Sequence, residues 1–163
     1  MSARNIIESF VNDTSIIEII ADGDLDGILA SGLLSSHLKE QGIEVRVVFP
    51  PSRDLEGLIV SNAILIELPP SKGLVYSGKN ILIDHHGTIN GVALYNNDQI
   101  QNLANLDIED CIASTIVSSI FNLRKNLSKK GQELLKSIVQ IDMGTYDTQF
   151  TRNFHRAYQM NVT

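Results

Sequence analysis

The chain alternates short apolar runs, rich in β-branched residues, with longer amphipathic stretches, and this alternation restricts the possible folds more than any other feature. Apolar runs of about four to eight residues are typical of strands buried in a parallel sheet, and the amphipathic stretches are typical of connecting helices. The pattern predicts an α/β fold, in which helices flank a parallel β-sheet. With 163 residues, 43% of them hydrophobic, the chain has the size of a single domain, spanning residues 1–163, with its own core.

The predicted elements occupy most of the chain. Strands are predicted at residues 16–21, 43–49 and 80–83 and within 58–68, with an edge strand at 91–95. Helices are predicted, from the spacing of their apolar residues, at 2–11, 28–41, 109–124, 128–141 and 148–160. The most polar segments directly follow apolar stretches. Because ligands collect at the carboxyl ends of strands in an open parallel sheet, these segments carry the candidate functional residues.

The charge and the cysteine content exclude several classes of protein. Thirteen lysines and arginines against nineteen aspartates and glutamates give a net charge of −6, which excludes a generally basic nucleic-acid binder. Cys111 is the single cysteine and cannot form an internal disulfide, and no charged-then-apolar leader precedes Asn5-Ile6-Ile7, so a cytoplasmic location is expected. No apolar run approaches the ~20 residues of a membrane span, so no membrane association is expected.

The first polar cluster is Asp22-Gly23-Asp24-Leu25-Asp26-Gly27, directly after the predicted strand at 16–21. Three carboxylates so close in sequence repel one another, so a compact arrangement requires a bound cation or strong hydrogen-bond compensation. An acidic turn that caps a helix is the alternative. An EF-hand loop is disfavoured because its twelfth position, which must be Glu, is Leu33 here. A haloacid-dehalogenase-like motif starting at Asp24 is also disfavoured, because it gives Asp22 no role.

The second cluster, Asp84-His85-His86-Gly87, follows the apolar run at 81–83, so a buried strand delivers a carboxylate and two imidazoles to the same sheet edge. Carboxylates suit Mg²⁺ and Mn²⁺, while neutral imidazole suits Mn²⁺ and Zn²⁺, so the mixture favours manganese. A solvent-exposed histidine pair in a loop is the alternative. The third candidate is Asp142, after the apolar stretch at 134–141; its significance comes from the other two clusters, because a lone aspartate after a helix is usually a cap.

In this order and spacing the clusters resemble the DHH phosphoesterase family, which includes the RecJ exonucleases and cyclic-dinucleotide phosphodiesterases. The resemblance extends from Ile16 to about Phe150, and it implies a Rossmann-like DHH domain, the N-terminal domain of that family. It also implies two bound Mn²⁺ or Mg²⁺ ions and a bridging hydroxide that attacks phosphorus. Two ions roughly 3.5–4 Å apart lower the pKa of a bridging water and clamp the attacking and leaving oxygens, so the chemistry agrees with the residue types.

The resemblance also implies roles for individual residues. The implied metal ligands are Asp22, Asp24, Asp26, Glu67, His85 and Asp142. The implied catalytic residues are Asp84, His85 and His86, with His86 contacting phosphate. Glu67 stands where the family has an aspartate, and its carboxylate is one methylene further from the backbone.

Two functions follow from the resemblance. The first is a RecJ-like metal-dependent phosphoesterase that hydrolyses phosphodiester bonds in single-stranded DNA or RNA or in short oligonucleotides. The alternative is a catalytically impaired RecJ-related subunit of an archaeal-type replicative helicase, which binds the GINS complex; it is motivated by Glu67 and by the expectation that the family's C-terminal substrate-binding domain is absent. A pyrophosphatase is disfavoured because its first motif begins with His before Asn-Pro, where this chain has Ala21-Asp22-Gly23. Candidate contacts to a nucleic-acid backbone, or alternatively a solvated helix face, are Arg124, Lys125, Lys129, Lys130, Lys136, Arg152 and Arg156.

Overall fold

The computed structural model describes residues 2–87, 89–96, 99–106 and 108–161. Within these ranges the helices are α1 (Ala3–Asn12), α2 (Leu25–Glu40), α3 (Ala113–Phe121), α4 (Lys129–Asp142) and α5 (Gln149–Asn161). The strands are β1 (Ile16–Ala21), β2 (Glu44–Val48), β3 (Ile59–Ser61), β4 (Ala63–Ile66), β5 (Val75–Ser77), β6 (Lys79–Asp84), β7 (Gly91–Asn96) and β8 (Gln99–Asn105).

The described strands form a central six-stranded sheet, ordered β2-β1-β4-β6-β7-β8, and a separate two-stranded sheet of β3 and β5. The first four strands of the central sheet run parallel, whereas β7 and β8 are antiparallel to their neighbours. The predicted α/β fold is therefore confirmed, and the sheet, predicted as parallel, is mostly parallel with two antiparallel strands. Since β1, β4 and β6 are adjacent and parallel, their carboxyl ends meet at one edge of the sheet.

The two faces of the central sheet are covered differently. Successive side chains of a strand point to opposite faces. Ile19 and Ile64 point to one face and pack with buried residues of α1, α2 and α3. Ile20 and Leu65 point to the other face and pack with residues of β3 and β5 and the loops that join them. The remaining helices, α4 and α5, pack against the start of α2.

Two sequence predictions about strands need correction, and one further strand, β8, was not predicted. The apolar segment at 58–68 forms two strands, not one, because Asn62 between them has a left-handed backbone with φ of 52°. The strand predicted at the edge, residues 91–95, lies inside the sheet, and β8 is the edge strand instead. The sequence Gln99–Asn105 is largely polar and lacks the apolar pattern on which strand prediction depends.

The start of α2 is fixed by its cap. Asp24 is the N-cap, and its Oδ1 accepts a hydrogen bond of 2.8 Å from the Gly27 N–H. The helix therefore begins at Leu25, three residues before the predicted start at residue 28. This early start places Asp26 inside the first turn. Across the described residues, no helix combines the length and hydrophobicity that crossing a bilayer requires.

Candidate metal centre

Acidic residues directly follow the ends of β1 and β4, at matched positions in the sheet. The Asp22 N–H donates to the Ile66 carbonyl oxygen at 3.0 Å, and the Glu67 N–H donates to the Ile83 carbonyl oxygen at 3.0 Å. The hydrogen-bond ladder of the parallel strands thus continues one residue past each strand. Asp22, Glu67 and Asp84 are therefore held side by side at the carboxyl edge of the sheet.

Four of the six predicted metal ligands come together at this edge. Asp26, Glu67, His85 and Asp142 each offer a ligand atom, and these four atoms all lie within 4.8 Å of one another. The His85 Nε2 atom lies 3.0 Å from Glu67 Oε1, 3.7 Å from Asp142 Oδ2 and 3.9 Å from Asp26 Oδ2. The four residues come from α2, the end of β4, the end of β6 and the end of α4. We call this group the four-ligand cluster.

Glu67 is the most perturbed member of the four-ligand cluster. Its side chain is 2% exposed, and its Oε2 atom is buried without a hydrogen-bond partner among the described residues. Burial, and to a smaller extent the negative charges of Asp26 and Asp24, together raise its pKa to about 10. A carboxylate can be ionised in such a place only if a positive charge compensates it.

Asp26 connects the cluster to the N-terminus of α3. Its carboxylate accepts hydrogen bonds from the backbone N–H groups of Ala113, at 2.6 Å, and Ser114, at 2.9 Å, and from the Ser114 hydroxyl. These are the first N–H groups of α3, which have no partner within the helix. Burial raises the pKa of Asp26 despite these bonds, and burial likewise raises that of Asp142.

Asp84 positions the second histidine. Its Oδ1 atom accepts hydrogen bonds from the N–H groups of His85, at 2.7 Å, and His86, at 3.0 Å, and lies 2.9 Å from Nδ1 of the His86 ring. Asp84 is not part of the four-ligand cluster, so the structure places it as a support for His86. The His86 side chain is 61% exposed, and its ring lies 4.0 Å from that of His85. His86 also forms a second group of possible metal ligands with Glu67 and His85, whose ligand atoms all lie within 4.8 Å of one another.

The other two predicted ligands have different partners. Asp22 forms an ion pair with Lys72. Asp24 is exposed, caps α2, and faces Glu67 closely enough that its charge contributes to the raised pKa of Glu67. Among the described residues, neither aspartate belongs to a group whose ligand atoms lie within 4.8 Å of one another.

Sequence reasoning missed several residues beside the cluster. Lys72 lies on the short 3₁₀ turn Pro70–Lys72, which follows β4, and contacts Asp22 beside the cluster. Tyr158 of α5 donates a hydrogen bond of 2.9 Å to the Gly23 carbonyl oxygen. Tyr158 and His155 line a cavity of about 250 Å³ together with Asp24, Asp26 and Asp142. The position of Lys72 soon after a strand end could have indicated that it lies near the site. Nothing in the sequence of α5 indicated that this helix lies against the site.

The predicted basic contacts lie elsewhere on the surface. All seven of these lysines and arginines are exposed, and none lines the 250 Å³ cavity. Arg124 and Lys136 line a cavity of about 490 Å³ on a different face of α4, which also includes Glu109, Asp110 and Asp147. The Arg152 guanidinium donates to the Tyr146 carbonyl oxygen at 2.6 Å.

No family model matches the chain, and no curated protein and no solved structure matches it. The resemblance to DHH phosphoesterases therefore depends on the quoted residues and not on overall similarity.

Proposed function

We propose that the chain is a divalent-metal-dependent phosphoesterase of the DHH type, which hydrolyses phosphodiester bonds in single-stranded nucleic acid or short oligonucleotides. The observation that carries the proposal is the four-ligand cluster. Three carboxylates and one imidazole converge within 4.8 Å although they are widely separated in sequence. Such a set repels itself and gains stability when a cation binds.

The residues of the cluster fit a divalent cation. The buried Oε2 atom of Glu67 has no partner among the described residues, and burial raises the pKa of Asp26, Glu67 and Asp142. A cation among them would supply the missing partner and favour the ionised carboxylates. A mixture of three carboxylate ligands and one imidazole ligand suits Mn²⁺, with Mg²⁺ the second choice.

The residues that would hold the metal are Asp26, Glu67, His85 and Asp142. A bound divalent ion supplies a water of lowered pKa and positive charge for the phosphate. Asp84 accepts from Nδ1–H of His86, so the Nε2 atom of His86 is the nitrogen that can accept or donate a proton. Because the His86 side chain is 61% exposed, it can reach a substrate that approaches the sheet edge. His86 would thus contact the phosphate, while Asp84 keeps its ring oriented.

The proposal is tested by calorimetric titration with Mn²⁺, with cleavage of labelled single-stranded DNA, RNA and dinucleotides measured on the same samples. The variant is Asp142→Asn, which keeps the shape of the ligand but removes its charge. We expect wild type to bind Mn²⁺ and to cleave, and the variant to lose more than the roughly 10- to 100-fold of affinity typical for supporting residues around a metal. The control is Glu133→Gln, on an exposed position of α4 outside the cluster. A wild-type chain that binds no Mn²⁺, or whose cleavage survives a chelator, would contradict the proposal.

A second candidate is a catalytically impaired subunit that binds the GINS complex. The contact between Glu67 Oε1 and His85 Nε2 favours this candidate. The glutamate side chain is longer than the aspartate that the family has at this position, and it reaches the histidine nitrogen directly, at 3.0 Å. An ion bound by His85 through this nitrogen has to displace that contact. This candidate predicts an inactive wild type, cleavage gained in Glu67→Asp, and recovery of purified GINS complex by the immobilised chain. An active wild type that does not bind GINS would exclude it.

A further inference from the structure

Lys72 brings a positive charge into the site from the loop after β4. Its ammonium group contacts Asp22 Oδ2, so it joins the segment after β4 to the segment after β1. The ammonium also lies close enough to Glu67 and Asp24 for their charges to act on it. Its side chain is 40% exposed, so the group lies at the open rim of the sheet edge.

This contact divides the acidic residues into two sets. Asp22 is paired with Lys72, and neither Asp22 nor Asp24 belongs to the four-ligand cluster. The four-ligand cluster contains three carboxylates, and among the described residues no lysine or arginine forms an ion pair with them. One set therefore has a cation supplied by the chain, and the other set lacks one.

We propose that Lys72 replaces one of the two metal ions, so that the chain binds a single divalent ion through Asp26, Glu67, His85 and Asp142. The lysine supplies the second positive charge of the site and pairs with a phosphoryl oxygen of the substrate. This inference rests on the proposed function and deepens it.

The chemistry of an ammonium group suits this role. A lysine has three N–H donors, and one of them is used on Asp22, so two remain for phosphate oxygens. Its flexible stem and partial exposure let the group follow the substrate. Unlike a metal ion, the ammonium cannot lower the pKa of a bound water by coordination, so Lys72 is a substrate-binding residue and the single ion activates the water.

The test counts bound ions in the full chain, without reference to activity. Wild type, Lys72→Met and Lys39→Met are saturated with Mn²⁺, freed of excess ion and analysed for manganese per chain. We expect one ion in wild type and in Lys39→Met, which alters an exposed lysine at the end of α2. We expect a second ion in Lys72→Met, because Asp22 is then released to bind it. Lys72→Arg keeps the charge and should stay at one ion.

The outcomes distinguish a failure of the role proposed for Lys72 from a failure of the proposed phosphoesterase function. Two ions in wild type, or one ion in both wild type and Lys72→Met, would overturn the role of Lys72 and leave the phosphoesterase intact. No bound ion in wild type would overturn the phosphoesterase itself. In a cleavage assay at an Mn²⁺ concentration that fills the four-ligand cluster alone, Lys72→Met should lose roughly 10- to 100-fold in kcat/KM, the effect of one hydrogen bond to a charged group. The loss should be largely restored in Lys72→Arg.

Discussion

The metal centre depends on a close approach between backbone segments at a single residue, Gly27. An ideal Cβ atom at this position would lie 2.3 Å from the Asp22 carbonyl oxygen and 3.2 Å from Glu67 Oε2. A side chain of any size would therefore push the first turn of α2 away from the end of β1. Because Asp26 lies in the same turn, the position of this ligand depends on residue 27 being a glycine, which has no side chain.

We expect Gly27→Ala to lower the free energy of unfolding by about 1–3 kcal/mol, as other overpacked positions do, and to weaken Mn²⁺ binding. The matched control is Gly32→Ala in the same helix, where an added Cβ meets nothing within 4 Å. Alanine favours helices over glycine by up to about 1 kcal/mol, so this control should be neutral or stabilising. Urea unfolding of the three proteins measures the effect, and equal stability of the two variants would refute it.

The residue types of the centre could be predicted, but their individual roles could not. The sequence indicated Asp22, Asp24 and Asp26 as one set of metal ligands. In the structure they take different partners: Lys72, the first turn of α2, and the N-terminus of α3. These choices depend on contacts between segments far apart in the chain, and local spacing carries no information about them.

The small sheet of β3 and β5 covers one face of the central sheet. Tyr76 of β5 is buried and donates a hydrogen bond to the Leu68 carbonyl oxygen, and its ring centroid lies 4.7 Å from that of Tyr95 at a tilt of 37°. The long apolar strands of the central sheet could be predicted from their composition. Strands of three residues, such as β3 and β5, are too short for a periodic pattern and owe their conformation to this packing.

The hydroxyl of Tyr76 predicts a pH dependence of stability. Burial, and to a smaller extent the charge of Asp84, raises the pKa of Tyr76 above its usual value. The folded protein therefore keeps the proton of the Tyr76 hydroxyl to higher pH than the unfolded chain, whose tyrosine ionises at about pH 10. The stabilising contribution is complete below that pH and is lost as the pH rises above it.

We expect Tyr76→Phe to be less stable than wild type by about 1 kcal/mol near neutral pH, because the hydrogen bond to Leu68 is lost. The difference should shrink at about pH 11, where the unfolded wild-type chain ionises. Urea unfolding of both proteins at about pH 8 and about pH 11 measures the change. A difference that is the same at both pH values would show that the hydroxyl does not contribute in this way.

The four-ligand cluster joins distant parts of the domain, namely α2, the ends of β4 and β6, and α4. A ligand that binds the folded state and not the unfolded chain stabilises the fold by an amount set by its concentration relative to Kd. Metal binding should therefore increase the stability of the entire domain and not only of the loops around the site.

We expect Mn²⁺ at 100 times its Kd to add about 2.7 kcal/mol of stability, which corresponds to a rise in Tm of roughly 5–10 °C for a chain of this size. Asp142→Asn should lose most of the rise, and a chelator should reverse it in wild type. Scanning calorimetry measures both. An equal rise in wild type and variant would mean that Mn²⁺ binds somewhere other than the four-ligand cluster.

The wide separation of the ligands along the chain also has a consequence for biosynthesis. Asp26, Glu67 and His85 leave the ribosome well before Asp142, which lies at the end of α4. A nascent chain therefore cannot complete the four-ligand cluster until α4 has emerged and docked beside α2. Long-range contacts of this kind form late in folding. Capture of an ion by all four ligands thus requires a chain that has been synthesised and folded at least through α4.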